Sequence, residues 1–271
     1  MGLGFAQTLA LCTCWGAWAL AAHAQSAPAE HAAAPAAGVA SKSEPAKAAA
    51  QPIKMRYSQY LKTYGAPLKL EVKDLIPRSL AQVLVYPQAV TLGSLDVDAL
   101  AAQHQVNTII FLRDVQMQGN LIQPESDYGP TLVFQGNLTA DNAFFGGSWV
   151  EIAGNLTVHN LLVGDYNHGA LRVGGQTQAY MVYNSDHAMS FGKKLSARYH
   201  LGSDEPNTLS HAQASQLFIA PVWKALLKSA EGDPHVFGVA TGEIFLPYLA
   251  RNQNPLRRPD LAKASKKQEN P

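Results

Sequence analysis

Short runs of alternating apolar and polar residues, each closed by glycine, recur through the middle of the chain. The clearest are Leu132-Val133-Phe134-Gln135-Gly136-Asn137-Leu138-Thr139-Ala140, Val150-Glu151-Ile152-Ala153-Gly154-Asn155-Leu156-Thr157-Val158 and Leu171-Arg172-Val173-Gly174-Gly175-Gln176-Thr177-Gln178-Ala179. Period-2 alternation punctuated by Gly, Asn and Asp predicts strand, turn, strand. Weaker copies surround Gly93-Ser94-Leu95-Asp96-Val97, Arg113-Asp114-Val115-Gln116-Met117 and Lys193-Lys194-Leu195-Ser196-Ala197. Anchored on Gly136, the copies stand at 93, 113, 136, 154, 175 and 193, with spacings of 20, 23, 18, 21 and 18. A unit of this size made of strands cannot bury its apolar face alone, whereas coils stacked about 4.8 Å apart share a continuous core.

The pattern therefore predicts an all-β core over residues 90–206: a short parallel β-helix, a single-stranded solenoid of about six coils. An antiparallel sandwich is the competitor, because its strands also recur every 8 to 12 residues or so. Column identity favours the solenoid. Asn137 falls over Asn155, Thr139 over Thr157 and Asn142 over Asn160, as ladders of stacked side chains require. The two Asn-Leu-Thr glycosylation acceptor patterns, at Asn137 and Asn155, are accordingly read as rungs.

A solenoid exposes unpaired strand edges at its ends, so capping segments are expected on both sides. Residues 53–89, with Tyr57, Tyr60, Leu61 and Leu80, supply the N-terminal cap. Residues 207–250 supply a helical C-terminal cap, in which Leu217, Phe218, Val222, Leu226 and Leu227 recur near helical spacing and Pro221 marks a break or kink. Residues 251–271 read as a basic, disordered tail.

Upstream of the caps the composition changes. Residues 25–52 are dominated by Ala, Pro, Ser, Lys and Glu and contain no large apolar residue except Val39, so they read as a disordered linker. An apolar run from Leu9 to Ala22 ends in Ala22-His23-Ala24, the form of a signal peptide over 1–24 cleaved before Gln25. No Lys or Arg precedes the run, which keeps an uncleaved N-terminal anchor as the alternative. Either reading places the rest outside a bacterial cytoplasm, periplasmic or secreted, with no membrane span in the mature chain. Both cysteines, Cys12 and Cys14, fall inside the signal, so no disulfide framework is expected. The formal net charge of +1 gives no reason to expect a nucleic-acid partner.

Candidate chemistry concentrates in the loops between coils: Gly164-Asp165-Tyr166-Asn167-His168-Gly169, Asn184-Ser185-Asp186-His187 and Gly202-Ser203-Asp204-Glu205. The repeat register puts Asp165, Asp186 and Asp204 in one column. Stacked carboxylates repel unless a cation or donor intervenes, and an oxygen-rich column suits Ca²⁺. The competing reading is turn-making, since Asp, Asn and Gly are also turn formers. Tyr166, His168 and His187 are candidate ligand or partner contacts. No catalytic residue or organic cofactor site is identified; G-x-S-x-G, H-E-x-x-H and P-loop motifs do not occur.

At Gly136-Asn137-Leu138-Thr139-Ala140 and Gly154-Asn155-Leu156-Thr157-Val158 the sequence resembles the bactofilin-like, polymer-forming bacterial β-helix proteins, in which a G-x-L-x-A/V step recurs once per coil. The resemblance spans about residues 90–206. It implies a right-handed β-helix and end-to-end self-association. Three functions remain open. The first is a non-enzymatic scaffold or interaction module that holds a protein partner, a second copy or a cell-envelope polymer. The second is a Ca²⁺- or glycan-binding module using the loop aspartates, and the third a β-helix polysaccharide lyase or hydrolase.

Overall fold

The computed structural model describes residues 51–65, 81–166, 168–202, 209–229 and 241–257. The expected signal peptide, nearly all of the linker, Leu80, Asp204 and the tail beyond Arg257 lie outside these residues. β1 (Ile53–Arg56) leads into α1 (Tyr57–Tyr64), which ends at Gly65 in the left-handed region. β1 runs antiparallel to β2 (Gln82–Tyr86). From β2 onward the strands pair in parallel, in six coils.

The first coil holds β2, β3 (Val90–Leu92) and β4 (Leu95–Asp96), then α2 (Val97–His104). The second holds β5 (Thr108–Phe111), β6 (Val115–Met117) and β7 (Asn120–Gln123), and the third β8 (Thr131–Phe134), β9 (Leu138–Ala140) and β10 (Asn142–Phe145). In the last three coils the second and third strands run on as one. The fourth is β11 (Trp149–Ile152) with β12 (Leu156–Asp165), the fifth β13 (Ala170–Val173) with β14 (Thr177–Ser185), and the sixth β15 (Ala188–Phe191) with β16 (Leu195–Gly202). Parallel pairing throughout these coils excludes the sandwich.

Alternation in each strand sends one set of side chains into a common core. One inward column is Tyr86, Phe111, Phe134, Ile152, Val173 and Phe191. Its first three rings stack, with centroids 4.6 Å apart between Tyr86 and Phe111 and 4.8 Å between Phe111 and Phe134. These separations match the inter-strand spacing, so ring stacking and strand pairing reinforce each other.

The register holds at 113, 136, 154, 175 and 193, because Val115, Leu138, Leu156, Thr177 and Leu195 are successive partners. It fails in the first coil. Val90 pairs with Val115, which makes Gln88 the equivalent of Arg113 and puts Gly93 one corner further on. The cause is α2, whose turns lengthen that coil. Asp96 caps the helix by accepting from the Ala99 N–H, and Val97, Ala101 and Val106 are buried against the core. α2 thus covers the start of the solenoid from inside the segment read as repeat.

The rung residues are used differently from simple amide stacking. The Asn137 Oδ1 accepts from the Asn155 backbone N–H, and Asn155 Oδ1 accepts from that of Gln176, at 2.9 and 2.8 Å. Each side chain thus satisfies the next coil's backbone, where a corner has interrupted the ladder. Thr139 and Thr157 are in register. Asn142 is aligned with Leu161 rather than Asn160. Its amide donates to Asn120 Oδ1 at 2.8 Å, in the coil before.

The helices cover flanks. α1 lays Tyr57 and Tyr60 over the outward residues Val83, Val85, Ile110 and Val133. The column from Val85 through Ile110 and Val133 continues as Glu151, Arg172 and Ser190; it becomes polar where that cover ends. On the opposite flank Ile122, Phe144, Val163 and Tyr183 are outward yet buried, under α3 (His211–Leu217), α4 (Ala220–Ser229) and α5 (Thr241–Leu249). α3 opens with a capping box between Ser210 and Gln213. The break before Pro221 appears as expected, with Pro221 in the first turn of α4. The Leu249 carbonyl at the end of α5 accepts from the Asn120 amide at 2.8 Å. The C-terminal helices therefore run alongside the coils. Among the described residues no helix is long and apolar enough to cross a membrane.

Candidate functional site

Each coil returns to its first sheet through one corner, and the corners differ in length. They comprise residues 124–130, 146–148, 166–169 and 186–187 in coils two to five. The longest corner belongs to the 23-residue coil, and the 21-residue coil adds to its corner one residue at the register shift between Val158 and Leu161. The third coil passes here as Gly146-Gly147-Ser148. Gly147 approaches Ser126 so closely that a Cβ would overlap the Ser126 carbonyl oxygen, and its N–H donates to the Glu125 carbonyl at 2.7 Å. Two residues without side chains let the loops on either side meet.

They meet through four side chains. His168 Nδ1 and Asp127 Oδ1 are 2.7 Å apart. Tyr128 stacks on the His168 ring with centroids 5.4 Å apart, and Tyr166 meets the same ring edge-on at 4.7 Å. Both tyrosines face solvent, Tyr128 at 75% relative exposure and Tyr166 at 42%. Both also hold φ in the left-handed region, at 56° and 72°. A bulky residue there is disfavoured, so surrounding structure must impose the conformation.

Two buried side chains do so. Gln123 is fully buried beneath the first loop. Its Oε1 accepts from the N–H groups of Gly146 and Ser148, and its amide donates to the Glu125 carbonyl at 2.7 Å and to the Asp98 carboxylate. Asp98 in turn accepts from the Glu125 N–H at 2.7 Å. Burial raises the Asp98 carboxyl above the usual carboxylate range, while the bonds from Glu125 and Gln123 oppose the shift. Beneath the second loop lies His187, whose ring nitrogen Nδ1 is 2.9 Å from the Tyr166 carbonyl. Gly164 and Gly169 make room for that imidazole; a Cβ at Gly164 would stand 2.9 Å from its Cδ2, and one at Gly169 2.6 Å from its Cε1.

The His187 Nε2 is buried and has no hydrogen-bond partner. Burial is the larger influence and lowers the imidazole below its ordinary value, while the carbonyls of Tyr166 and Asp165 pull the other way. The folded chain keeps His187 neutral where the unfolded chain protonates, near pH ~6.5. The unfolded state then binds more protons, so stability is fully present above that pH and declines as pH falls through it toward the folded-state value. Melting temperatures between pH 8 and pH 5.5 should drop on acidification, and His187→Gln should flatten the slope.

The structure separates the predicted aspartate column. Asp165 pairs with Ser185, so Asp186 is the register equivalent of Tyr166, and both occupy the left-handed corner position. Asp165 faces the flank instead. A Cβ at Gly242, in the first turn of α5, would lie 3.0 Å from its Oδ2. Burial first, and the Asp165 charge second, raise the nearby Tyr183 phenol. Asp165 and Asp186 are thereby one residue out of register, because β12 carries an extra residue between Val158 and Leu161 that a constant repeat does not include. Asp204 lies outside the described residues. Among the described residues no group of three or more His, Cys, Asp or Glu side chains is placed to hold a metal ion.

Tyr166 and His168 stand together, as their shared loop implies, whereas His187 is a buried support. Asp127 and Tyr128 escaped the sequence reading. Their signal was the 23-residue spacing, the longest of the six-copy series, which places an enlarged corner at Pro124-Glu125-Ser126-Asp127-Tyr128-Gly129-Pro130. A separate hollow of about 340 Å³ lies at the last coil, lined by Met189, Phe191 and Leu195 with Asn184, His187 and His200.

The corner offers aromatic faces, carboxylates and an imidazole to a molecule in solution. No protein-family model matches this chain, and comparison with curated proteins and with solved structures found no match.

Proposed function

We propose that this chain is an exported, non-enzymatic interaction module of the periplasm or cell surface, and that it holds a protein partner at the corner built from Asp127, Tyr128, Tyr166 and His168. The observation that carries this reading is the exposure of two tyrosine rings packed against His168. Tyrosine is enriched at protein interfaces, where a rigid ring supplies contact area and the hydroxyl stays wet. The buried Gln123 and His187 supports preorganise those rings, which reduces the ordering cost of binding. Export rests on the Ala22-His23-Ala24 pattern.

Tyr128→Gly separates binding from folding. Glycine tolerates the left-handed backbone, and the ring it removes is mostly in solvent, so stability should hold or rise by about 1 kcal/mol. In-cell cross-linking from a photoreactive residue at Ser126 should trap a discrete partner with the native chain and lose it with Tyr128→Gly. An unchanged cross-linking profile sinks the proposal. A trapped species of twice the chain's mass identifies the partner as a second copy, the outcome favoured by the polymer-forming resemblance.

A further inference from the structure

We infer that the partner group seated at this corner is cationic, an arginine side chain of a protein segment; this rests on the interaction-module reading above. The corner residues 123–130, 146–148, 166–169 and 185–187 contain no Lys or Arg, but they include Glu125, Asp127 and Asp186; Asp165 faces the flank. Arg113, Lys193 and Lys194 belong to a different corner of the coil. The aromatic corner is thus acidic on balance.

The acids nearest the rings keep acceptor capacity. Asp127 uses Oδ1 toward His168, and Glu125 uses Oε1 to accept from the Asp127 N–H at 3.1 Å. Among the described residues, the second oxygen of each has no hydrogen-bond partner. One face of Tyr128 is occupied by His168, and its 75% exposure leaves the other open. A guanidinium is planar, weakly hydrated and always charged. It stacks on an aromatic face while its edge donates to a carboxylate. Tyr128 beside Asp127 and Glu125 presents those two features together, and Tyr166 extends the aromatic wall. A neutral sugar would use the ring face but gain nothing from the one-sided charge. An acidic polymer would be repelled.

The test uses the full chain and two peptides, acetyl-Gly-Gly-Arg-Gly-Gly-amide and the same peptide with citrulline, which keeps the shape and loses the charge. Ring resonances of Tyr128, Tyr166 and His168 are followed by NMR during titration. The arginine peptide should shift all three, and citrulline should weaken binding about tenfold. Asp127→Asn, which keeps an acceptor for His168, should weaken it comparably, as should Glu125→Gln if Asp127→Asn perturbs the loop. Absence of ring shifts, equal shifts with citrulline, or shifts produced instead by a neutral oligosaccharide would overturn the inference. Partner trapping at Ser126 that needs Tyr128 yet persists at high salt would also refute it while leaving the interaction-module reading intact.

Discussion

Phe111→Ala is expected to lower folding stability by about 4 kcal/mol, measured by urea denaturation. Phe111 is 1% exposed and lies in the middle of the ring stack, between Tyr86 and Phe134. Neither neighbour can slide into the space, since the coil backbones are held at strand spacing by parallel pairing on both sides. The cavity therefore stays open and its full cost is felt. Because each coil contacts mainly its neighbours, the loss falls on two interfaces, first to second coil and second to third. Hydrogen exchange should speed up over β2, β5 and β8 before β14 and β16 respond. A loss below about 1.5 kcal/mol, as for a volume-conserving swap, would mean that the column repacks.

Gln123→Leu should cost about 3 kcal/mol even though leucine replaces most of the volume. The wild-type amide satisfies four groups at once: the N–H of Ser148, the N–H of Gly146, the Glu125 carbonyl and the Asp98 carboxylate. Gly146 retains a bond to the Gln123 backbone carbonyl at 3.1 Å, so it is not stranded. The Ser148 N–H and Asp98 bear the loss. The distinguishing readout is local. Protection of the amides in 124–130 should collapse, and the Tyr128 ring should leave His168, in a variant that still melts cooperatively. If those amides stay protected, something other than Gln123 holds the loop.

The solenoid was legible because its determinants are local and repeated. Alternation, glycine corners and the Gly-Asn-Leu-Thr step locate the first two strands of the middle coils to the residue, and the third strand to within one. The first coil was misread at Gly93 because α2 hides there: Val97, Leu100, Ala101 and His104 follow helical spacing, but the segment is too short for that spacing to outweigh an adjacent strand pattern. α5 falls inside the span 207–250 expected to be a helical cap, although Pro247 within it obscures the helical spacing there. The flanking role of α3 and α4 depends on which outward positions are apolar. Ile122, Phe144, Val163 and Tyr183 carry that information only after the register is known. The site was half visible. Tyr166 and His168 share a loop, but Asp127 and Tyr128 reach them across an intervening coil, a contact set by the two glycines at 146 and 147 rather than by any motif. Asp165 and Asp186 differ from the expected column by one residue, which in a strand is enough to turn a side chain to the other face.

A coil of 18 residues and a coil of 23 deliver the same three strand segments to the same columns. Most of the difference in length therefore accumulates at one corner without cost to the register above or below it; the corner that carries Asn137 and Asn155 keeps its length, because these side chains must reach the next backbone, and the remaining corner shifts by one residue, between Val158 and Leu161. The scaffold behaves as a rack with a single row of slots. New recognition surfaces can be written into that row by insertion, each held at a height fixed by the coil that carries it, while the rest of the molecule stays the same.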